Sequence, residues 1–214
     1  MKTFRQFFEQ KESKSLTTAF GRFNPPTIGH EKLINAVEAV ASGGDFKIYA
    51  SQSQDKLKNP LKYDEKINFM REMFSEYENN IVSDINIKTI FDILTQAYKD
   101  GYTQFTLVVG SDRVPAFDEL IKKYNGVEGK HGFYDFVDGL EVVSAGERDP
   151  DSEGVEGMSA SKMREAASKD DFQEFIKGLP VGFALSQELF DAVKEGMALP
   201  SDEELGAYRA VRHK

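Results

Sequence analysis

Short apolar runs alternate with helical patterns along this chain, and this alternation restricts the possible folds more than any other feature of the sequence. Leu16–Phe20 is an apolar and β-branched run that predicts a strand, and apolar residues then recur at three- and four-residue intervals from Ile28 to Val40. Phe46–Ala50 predicts a second strand, so the helix between them has the length that a parallel crossover requires. Phe105–Val109 is almost entirely apolar, as is typical of a strand buried on both faces.

The same alternation continues towards the C-terminus. Two further strands are predicted, at Ile85–Ile87 and Leu140–Ser144. Further helices are predicted near Asp64–Tyr77, Phe91–Lys99, Ala116–Tyr124, Ser159–Ser168, Phe172–Lys177 and Gln187–Lys194. This order predicts an α/β fold, an open and mostly parallel sheet with helices on both faces and extra C-terminal helices. Such sheets bind ligands at the carboxyl ends of their strands, where the strand order reverses. We expect an N-terminal extension at 1–14, one domain at 15–199 and a tail at 200–214.

Composition excludes several classes of protein. The 27 Lys and Arg residues against 36 Asp and Glu residues give a net charge of −9, so general binding to nucleic acids is not expected. The absence of Cys excludes a disulfide scaffold, a thiol nucleophile and a thiolate zinc site. No apolar stretch approaches the roughly 20 residues that span a bilayer, and charges interrupt the N-terminus where a signal peptide would be apolar. We therefore expect a cytoplasmic protein without a membrane partner.

Glycine and polar residues follow the first predicted strand, in the turn that leads into the first helix. Backbone amides and the helix dipole attract anions at such a helix N-terminus. Gly21 permits a tight turn, and Gly29 leaves room for a bulky polyphosphate beside the first helical turn. Thr27 and His30 lie three residues apart on one face, and Arg22 adds a guanidinium suited to phosphate oxygens. Each has an ordinary structural explanation when taken singly; together they predict a phosphate site.

The full segment resembles the signature Gly-x-Phe-x-Pro-x-His-x-Gly-His of the nucleotidyltransferase superfamily. It reads Gly21-Arg22-Phe23-Asn24-Pro25-Pro26-Thr27-Ile28-Gly29-His30. Its opening is most similar to that of archaeal nicotinamide-mononucleotide adenylyltransferases. Thr27 stands where the family has its first histidine, as it does in pantetheine-phosphate adenylyltransferases. The resemblance implies a Rossmann-like sheet of the nucleotidyltransferase type, and it implies nucleotide binding by Gly21, Arg22, Phe23, Asn24, Thr27 and Gly29.

A second segment far along the chain is similar to the family's Ile-Ser-Ser-Thr-x-x-Arg motif. Met158–Arg164 lies about 130 residues after the first segment, in the expected order. Ser159 can cap the following helix, and Ser161 and Arg164 share one helical face. Ala160 replaces a serine of the family, whereas Ser161 keeps a hydroxyl. Ser159 and Ser161 are therefore expected to bind nucleotide, and Arg164 to be catalytic.

The resemblance implies transfer of a nucleoside monophosphate from ATP or CTP to a phosphorylated small-molecule acceptor, with release of pyrophosphate. His30 would contact the α-phosphate, whereas Arg22, Ser161 and Arg164 would contact the β- and γ-phosphates. Mg²⁺ would bridge the phosphates, and no protein-held metal site is expected. Weaker candidates for substrate contacts are Lys58 after the second strand, Asp112 after the Phe105–Val109 strand and Arg148 before the second motif.

Three functions stay open at this point. The opening Gly-Arg-Phe favours nicotinamide mononucleotide as acceptor; a cytidylyltransferase for glycerol phosphate or phosphocholine is the enzymatic alternative. The third is a nucleotide-binding protein inside a virion that has lost turnover, since Thr27 and Ala160 depart from the family's motifs. The sequence allows a homo-oligomer without indicating one.

The N-terminal ten residues are amphipathic, with Phe4, Phe7 and Phe8 on one side. They fit a short helix docked on the domain. They also resemble the capsid-targeting leaders of internal head proteins in T4-like phages, which are cleaved after a glutamate; Gln10 stands at the comparable place here. The chain as a whole resembles phage-encoded nucleotidyltransferases, so packaging in a phage capsid is a further expectation.

Overall fold

One parallel sheet flanked by helices organises the chain. The computed structural model describes residues 13–146 and 158–198. The strands are β1 (Ser15–Gly21), β2 (Asp45–Ala50), β3 (Ile81–Val82), β4 (Gln104–Val109) and β5 (Gly139–Ser144). The α-helices are α1 (Ile28–Ala41), α2 (Tyr63–Met73), α3 (Ile90–Lys99), α4 (Val114–Lys123), α5 (Ala160–Ser168), α6 (Phe172–Phe175) and α7 (Ser186–Ala198). Short 3-10 helices occupy Ser75–Asn80, Ser111–Arg113 and Ile176–Gly178.

The strand order is β3-β2-β1-β4-β5, and every pair is parallel. Since β1 pairs with β2 on one side and with β4 on the other, the order reverses between β1 and β4. This reversal creates a crevice beyond their carboxyl ends, at Gly21 and Val109. The predicted α/β fold with an open parallel sheet is confirmed, and the segments that follow β1 and β4 are the ones that border the crevice.

Two apolar layers cover the sheet. On one face, α3 and α4 pack against side chains such as Phe105 and Leu107 of β4. On the other face, α1 and α2 pack against residues that include Ala19 and Ile48. A third cluster joins α5, α6 and α7 to Phe69 on α2. The C-terminal helices are therefore held against α2, on the same side of the sheet as α1.

The prediction of a strand at Ile85–Ile87 is wrong, because the third strand lies earlier, at Ile81–Val82. The carbonyl oxygens of Asp84, Ile85 and Ile87 accept hydrogen bonds from the Gln52 side-chain amide at 2.8–3.1 Å instead of from a neighbouring strand. Ile85 and Ile87 are both apolar, yet Ile85 is 62% exposed and only Ile87 is buried. No helix within the described residues is both long enough and apolar enough to cross a membrane.

Candidate active site

The loop between β1 and α1 has a conformation that depends on Gly21. Phe23 adopts a positive φ of 45° and its side chain is buried. A Cβ atom at Gly21 would lie 2.8 Å from the Phe23 ring, closer than van der Waals contact allows. The Phe23 ring also packs against the His30 imidazole, with ring centroids 4.7 Å apart. Gly21 and Phe23 therefore shape the loop and support His30 from within the protein.

The imidazole of His30 is held by the residue at the N-cap of α1. The backbone N–H of Thr27 donates to His30 Nδ1 at 2.9 Å, and the Thr27 hydroxyl lies 3.0 Å from the same nitrogen. A backbone amide can only donate, so Nδ1 is the acceptor and the proton of the neutral ring is on Nε2. Thr27 is buried, whereas His30 is half-buried. The geometry thus fixes His30 as a hydrogen-bond donor through Nε2 at the start of the helix.

Arg164 connects three separate segments of the chain. Its Nη1 donates to the Asn24 carbonyl at 2.7 Å, and its Nε donates to the Leu57 carbonyl at 3.0 Å. Its Nη2 donates to the Ser161 hydroxyl at 3.1 Å. Asn24 lies three residues before Thr27, which binds the His30 ring. The guanidinium of the second motif therefore contacts the same short loop that holds the imidazole of the first motif.

Two arginines concentrate positive charge at this place in an acidic protein. The pKa of Arg164 is lowered, first by burial and second by the positive charge of Arg22, and Asp55 opposes the shift. Arg22 itself is exposed. The influence of Arg22 on Arg164 shows that the two guanidiniums are close enough to repel each other, a repulsion that a bound anion would relieve. The charge distribution here fits a phosphate site in a chain whose net charge is −9.

The segment after β2 is hydrogen-bonded to the loop between β1 and α1 by a buried side chain. Asn24 Nδ2 donates to the Leu61 carbonyl at 3.3 Å, and Asn24 Oδ1 accepts from the Leu61 amide at 3.0 Å. Asn24 is 1% exposed. The Asn24 side chain is thus hydrogen-bonded to Leu61 inside the protein. Asn24 contacts the second motif through its backbone carbonyl, which accepts from Arg164.

Asp55 shapes the tip of the same segment. Its carboxylate accepts from the backbone amides of Leu57 at 2.9 Å and Lys58 at 2.7 Å, and these bonds lower the pKa of Asp55. Because Arg164 is bonded to the Leu57 carbonyl, Lys58 is brought to the edge of the site, with its side chain exposed. Sequence reasoning missed Asp55 and Leu57, since their contribution is made through backbone groups.

The other predicted residues divide between helix starts and strand ends. Ser159 is the N-cap of α5, where its hydroxyl accepts from the Lys162 amide at 3.2 Å. Gly29 is exposed in the first turn of α1. Asp112 is exposed just beyond β4, and a Cβ atom at Gly110 would lie 2.8 Å from its Oδ1. Arg148 lies outside the described residues.

One buried charge was not predicted. Lys66 on α2 is fully buried, and its Nζ donates to the Ser51 carbonyl at the carboxyl end of β2. Lys66 occupies the apolar face of α2, since Phe69 and Met70 follow at three- and four-residue spacing and are also buried. A cation in an apolar stripe is the sequence signal that could have identified it.

The described residues offer no protein-made metal site, because nowhere among them do three or more His, Asp or Glu side chains cluster in a way that could hold an ion.

Comparisons with known proteins agree with this geometry. The cytidylyltransferase-like family model matches residues 18–166, which is more than half of the chain and includes both motifs. A protein from Vibrio parahaemolyticus assigned as a nicotinate-nucleotide adenylyltransferase has a similar fold, with a TM-score of 0.52 and 18% identity over 82% of this chain and 98% of that chain. The search of curated proteins found no significant match. The chain belongs to the cytidylyltransferase-like family and is a nucleotidyltransferase.

Proposed function

We propose that this enzyme transfers a nucleoside monophosphate from ATP or CTP to a phosphorylated small-molecule acceptor and releases pyrophosphate, with nicotinamide mononucleotide as the preferred acceptor. The observation that carries the proposal is that Arg164 of the second motif and His30 of the first motif both hydrogen-bond to the loop between β1 and α1, Arg164 at Asn24 and His30 at Thr27. Donors from both motifs are thus held by one short segment, from which they can reach a common triphosphate.

Each donor has a proposed place along the triphosphate. The Nε2–H of His30 donates to a nonbridging oxygen of the α-phosphate. Arg22, Arg164 and the Ser161 hydroxyl bind the β- and γ-phosphates, and the exposed backbone at Gly29 lets the phosphates approach the first turn of α1. Ser159 stabilises the start of α5 and so orients Ser161. Phe23, Asn24 and Thr27 act by shaping the loop.

The reaction needs no side-chain nucleophile. An oxygen of the acceptor phosphate attacks the α-phosphorus and forms a new phosphorus–oxygen bond. The bond between the α-phosphorus and the oxygen that bridges it to the β-phosphate breaks. Pyrophosphate leaves with the bonding electron pair. The acceptor phosphate is already anionic, so no general base is required, and the protein contributes in-line positioning and stabilisation of the developing charge. Mg²⁺ enters as part of the nucleotide substrate and neutralises phosphate charge.

Two observations support a pyridine mononucleotide as acceptor. Gly21-Arg22-Phe23 resembles the opening of nicotinamide-mononucleotide adenylyltransferases. The solved structure of similar fold is assigned to an enzyme acting on nicotinate nucleotide. We propose that Asp112, at the carboxyl end of β4, contacts a sugar or base, and that Lys58 contacts the acceptor phosphate. Arg148 is proposed to close over the nucleotide.

The test is a matrix of substrates. ATP and CTP are each combined with nicotinamide mononucleotide, nicotinate mononucleotide, glycerol 3-phosphate and phosphocholine, and pyrophosphate release is measured, with products identified by mass spectrometry. We expect the highest kcat/KM with nicotinamide mononucleotide. A highest value with CTP and glycerol phosphate or phosphocholine would instead establish the cytidylyltransferase alternative.

A nucleotide-binding protein without turnover is the second candidate. It is favoured by Thr27 and Ala160, which replace a histidine and a serine of the family's motifs. Nucleotide binding without pyrophosphate release, for every acceptor in the matrix, would support it. We further propose that the protein is phage-encoded, whichever of these functions it has, and that it is packaged in a capsid. The predicted leader lies outside the described residues, and detection of the protein in purified virions tests the packaging.

A further inference from the structure

The buried lysine on α2 lies behind the loop at 22–27 between β1 and α1, which carries the first motif and is named the phosphate loop. Lys66 Nζ donates to the Ser51 carbonyl, and the Ser51 amide donates to the Gly21 carbonyl at 2.8 Å. One residue and two hydrogen bonds therefore separate the ammonium from the last residue of β1, which places the charge within about 10 Å of the Gly21 carbonyl. Gly21 is where the phosphate loop begins, so Lys66 is linked to that loop through a single peptide segment.

This cation has no neutralising partner among the described residues. Lys66 is 0% exposed, and burial alone lowers its pKa, to about 8, without a contribution from any charged neighbour. A buried ammonium that is not paired with a carboxylate costs folding free energy, because the charged form loses its hydration. Apolar residues would fill the same volume without that cost. A buried charge at this position therefore needs an explanation other than stability of the fold.

The segment that Lys66 contacts carries buried acceptors without hydrogen-bond partners among the described residues. Ser51 Oγ and Asn59 Oδ1 are buried, and neither has a hydrogen-bond partner among the residues that the structure describes. Both lie on the segment that Lys66 holds, the stretch from Ser51 to Leu61 that also binds Asn24 and Arg164. An ammonium has three donors, and the Ser51 carbonyl uses one of them.

The charged groups on neighbouring elements are engaged elsewhere. On α2, Glu65 pairs with Lys62 at 3.0 Å, and Arg71 donates to the Ile81 carbonyl at 2.8 Å. On the segment after β2, the Asp55 carboxylate is bonded to backbone amides. On α5, Arg164 is bonded to carbonyls and to Ser161. None of them contributes to the pKa of Lys66.

We propose that Lys66 is a positioning residue of the phosphate site, whose buried ammonium both fixes the Ser51 peptide behind the loop and is stabilised by the negative charge of a bound triphosphate. This inference rests on the proposed function, because it takes a triphosphate as the ligand. The bound polyanion supplies the compensating charge that the protein lacks.

A protonation change follows from this arrangement. A nearby polyanion favours the charged form of Lys66 and raises its pKa, so nucleotide binding near pH 8 takes up a proton. As the pH rises above the pKa of the free enzyme, binding has to include that protonation and therefore weakens. Groups that stay ionised throughout this range, such as arginine, do not produce the effect.

The experiment is calorimetric titration of the full chain with ATP and with CTP at pH 8, where their phosphates are already ionised, in two buffers that differ in ionisation enthalpy. For the wild type we expect uptake of about half a proton for each ligand bound. Lys66→Met should show no uptake and a Kd about tenfold higher, since one charge is lost. Lys66→Arg keeps a permanent charge, so it should restore most of the affinity without restoring proton uptake. Lys62→Met, which removes an exposed lysine at the start of the same helix, should bind as the wild type does.

Each result decides a separate question. Proton uptake that persists in Lys66→Arg, or a wild type that binds without any uptake, would overturn the role of Lys66 and leave the proposed function standing. If the wild type binds neither nucleotide, the proposed function fails as well. Should Lys66→Met not fold, as judged by circular dichroism, the comparison of the wild type with Lys66→Arg still decides the proposal.

Discussion

The guanidinium of Arg164 donates to the backbone carbonyl of Asn24 at 2.7 Å, and so joins two segments that are 140 residues apart in the chain. The same side chain reaches Leu57 and Ser161. The loop after β1, the segment after β2 and the start of α5 are therefore held by one charged group. The donors of the phosphate site take their relative positions only when α5 has packed against the rest of the protein.

Arg164→Lys tests whether the fork of donors matters beyond the charge. A lysine cannot donate along the three directions that Arg164 uses, so we expect a rise in the KM for the nucleoside triphosphate and a fall of about 10–100-fold in kcat/KM. Arg164→Ala should also lower the free energy of unfolding by about 2–4 kcal/mol, because hydrogen bonds from a charged donor are lost. Steady-state kinetics and urea denaturation measure the two effects. Lys169→Ala, in an exposed ion pair just beyond the same helix, is the control and should change neither by much.

His30→Ala is expected to lower kcat by about 10²–10³-fold, because a preorganised donor to the α-phosphate is removed. The fold should persist, since the imidazole is half-buried and the N-cap residue Thr27 is unchanged. Pyrophosphate release and thermal unfolding are the measurements. His131→Ala provides the matched control, because His131 stacks on Phe91 with ring centroids 4.1 Å apart and belongs to no part of the proposed site. A fully active His30→Ala enzyme would refute the assignment.

The fold was accessible from sequence because its interior strands β1 and β4 are largely buried runs of apolar and β-branched residues. Phe105–Val109 shows this most clearly, and it corresponds to β4, which lies between β1 and β5. The edge strand β3 has only two residues, Ile81 and Val82, which is too short to produce a pattern. The sequence instead predicts a strand at Ile85–Ile87, where two isoleucines alternate with a polar residue, because a pattern of residue types does not reveal that the Gln52 side-chain amide binds the carbonyl oxygens there.

The candidate site was accessible only in part, for a similar reason. His30 and Arg164 stand in motifs whose side chains signal their chemistry. Asn24 and Leu57 contribute carbonyl oxygens to Arg164, and a carbonyl is present in every residue, so no residue type marks it. Lys66 did carry a signal, a charge on the apolar face of α2, but its partner is again a backbone carbonyl.

Asn24→Asp tests the contribution of the buried amide to stability. The substitution keeps the size of the side chain but replaces the donor Nδ2 with an oxygen that faces the Leu61 carbonyl. Two acceptors then oppose each other in a buried place, and we expect a loss of about 2–4 kcal/mol in the free energy of unfolding. Chemical denaturation measures this. Asn125→Asp serves for comparison. Asn125 Nδ2 donates to the Asp135 carboxylate at 3.4 Å in a part-buried loop, so this substitution also opposes two acceptors, but water can reach and screen them and the loss should be smaller.

Gly29→Ala separates the requirements of the ligand from those of the fold. A Cβ atom at Gly29 would meet only the Thr27 hydroxyl, at 3.5 Å, which is ordinary contact, and alanine favours helix by up to about 1 kcal/mol over glycine. The variant should therefore be as stable as the wild type or slightly more stable. If the exposed turn receives a polyphosphate, however, the added methyl group obstructs its approach, and the KM for the nucleoside triphosphate should rise by about tenfold or more while the acceptor KM changes little. Gly196→Ala is expected to show the opposite pattern. A Cβ atom at Gly196 would clash with the Pro60 carbonyl where α7 packs, so this variant should lose thermal stability. Thermal unfolding and kinetics on the two variants measure the contrast, and unchanged nucleotide kinetics in Gly29→Ala would show that the phosphates do not approach the helix at this turn.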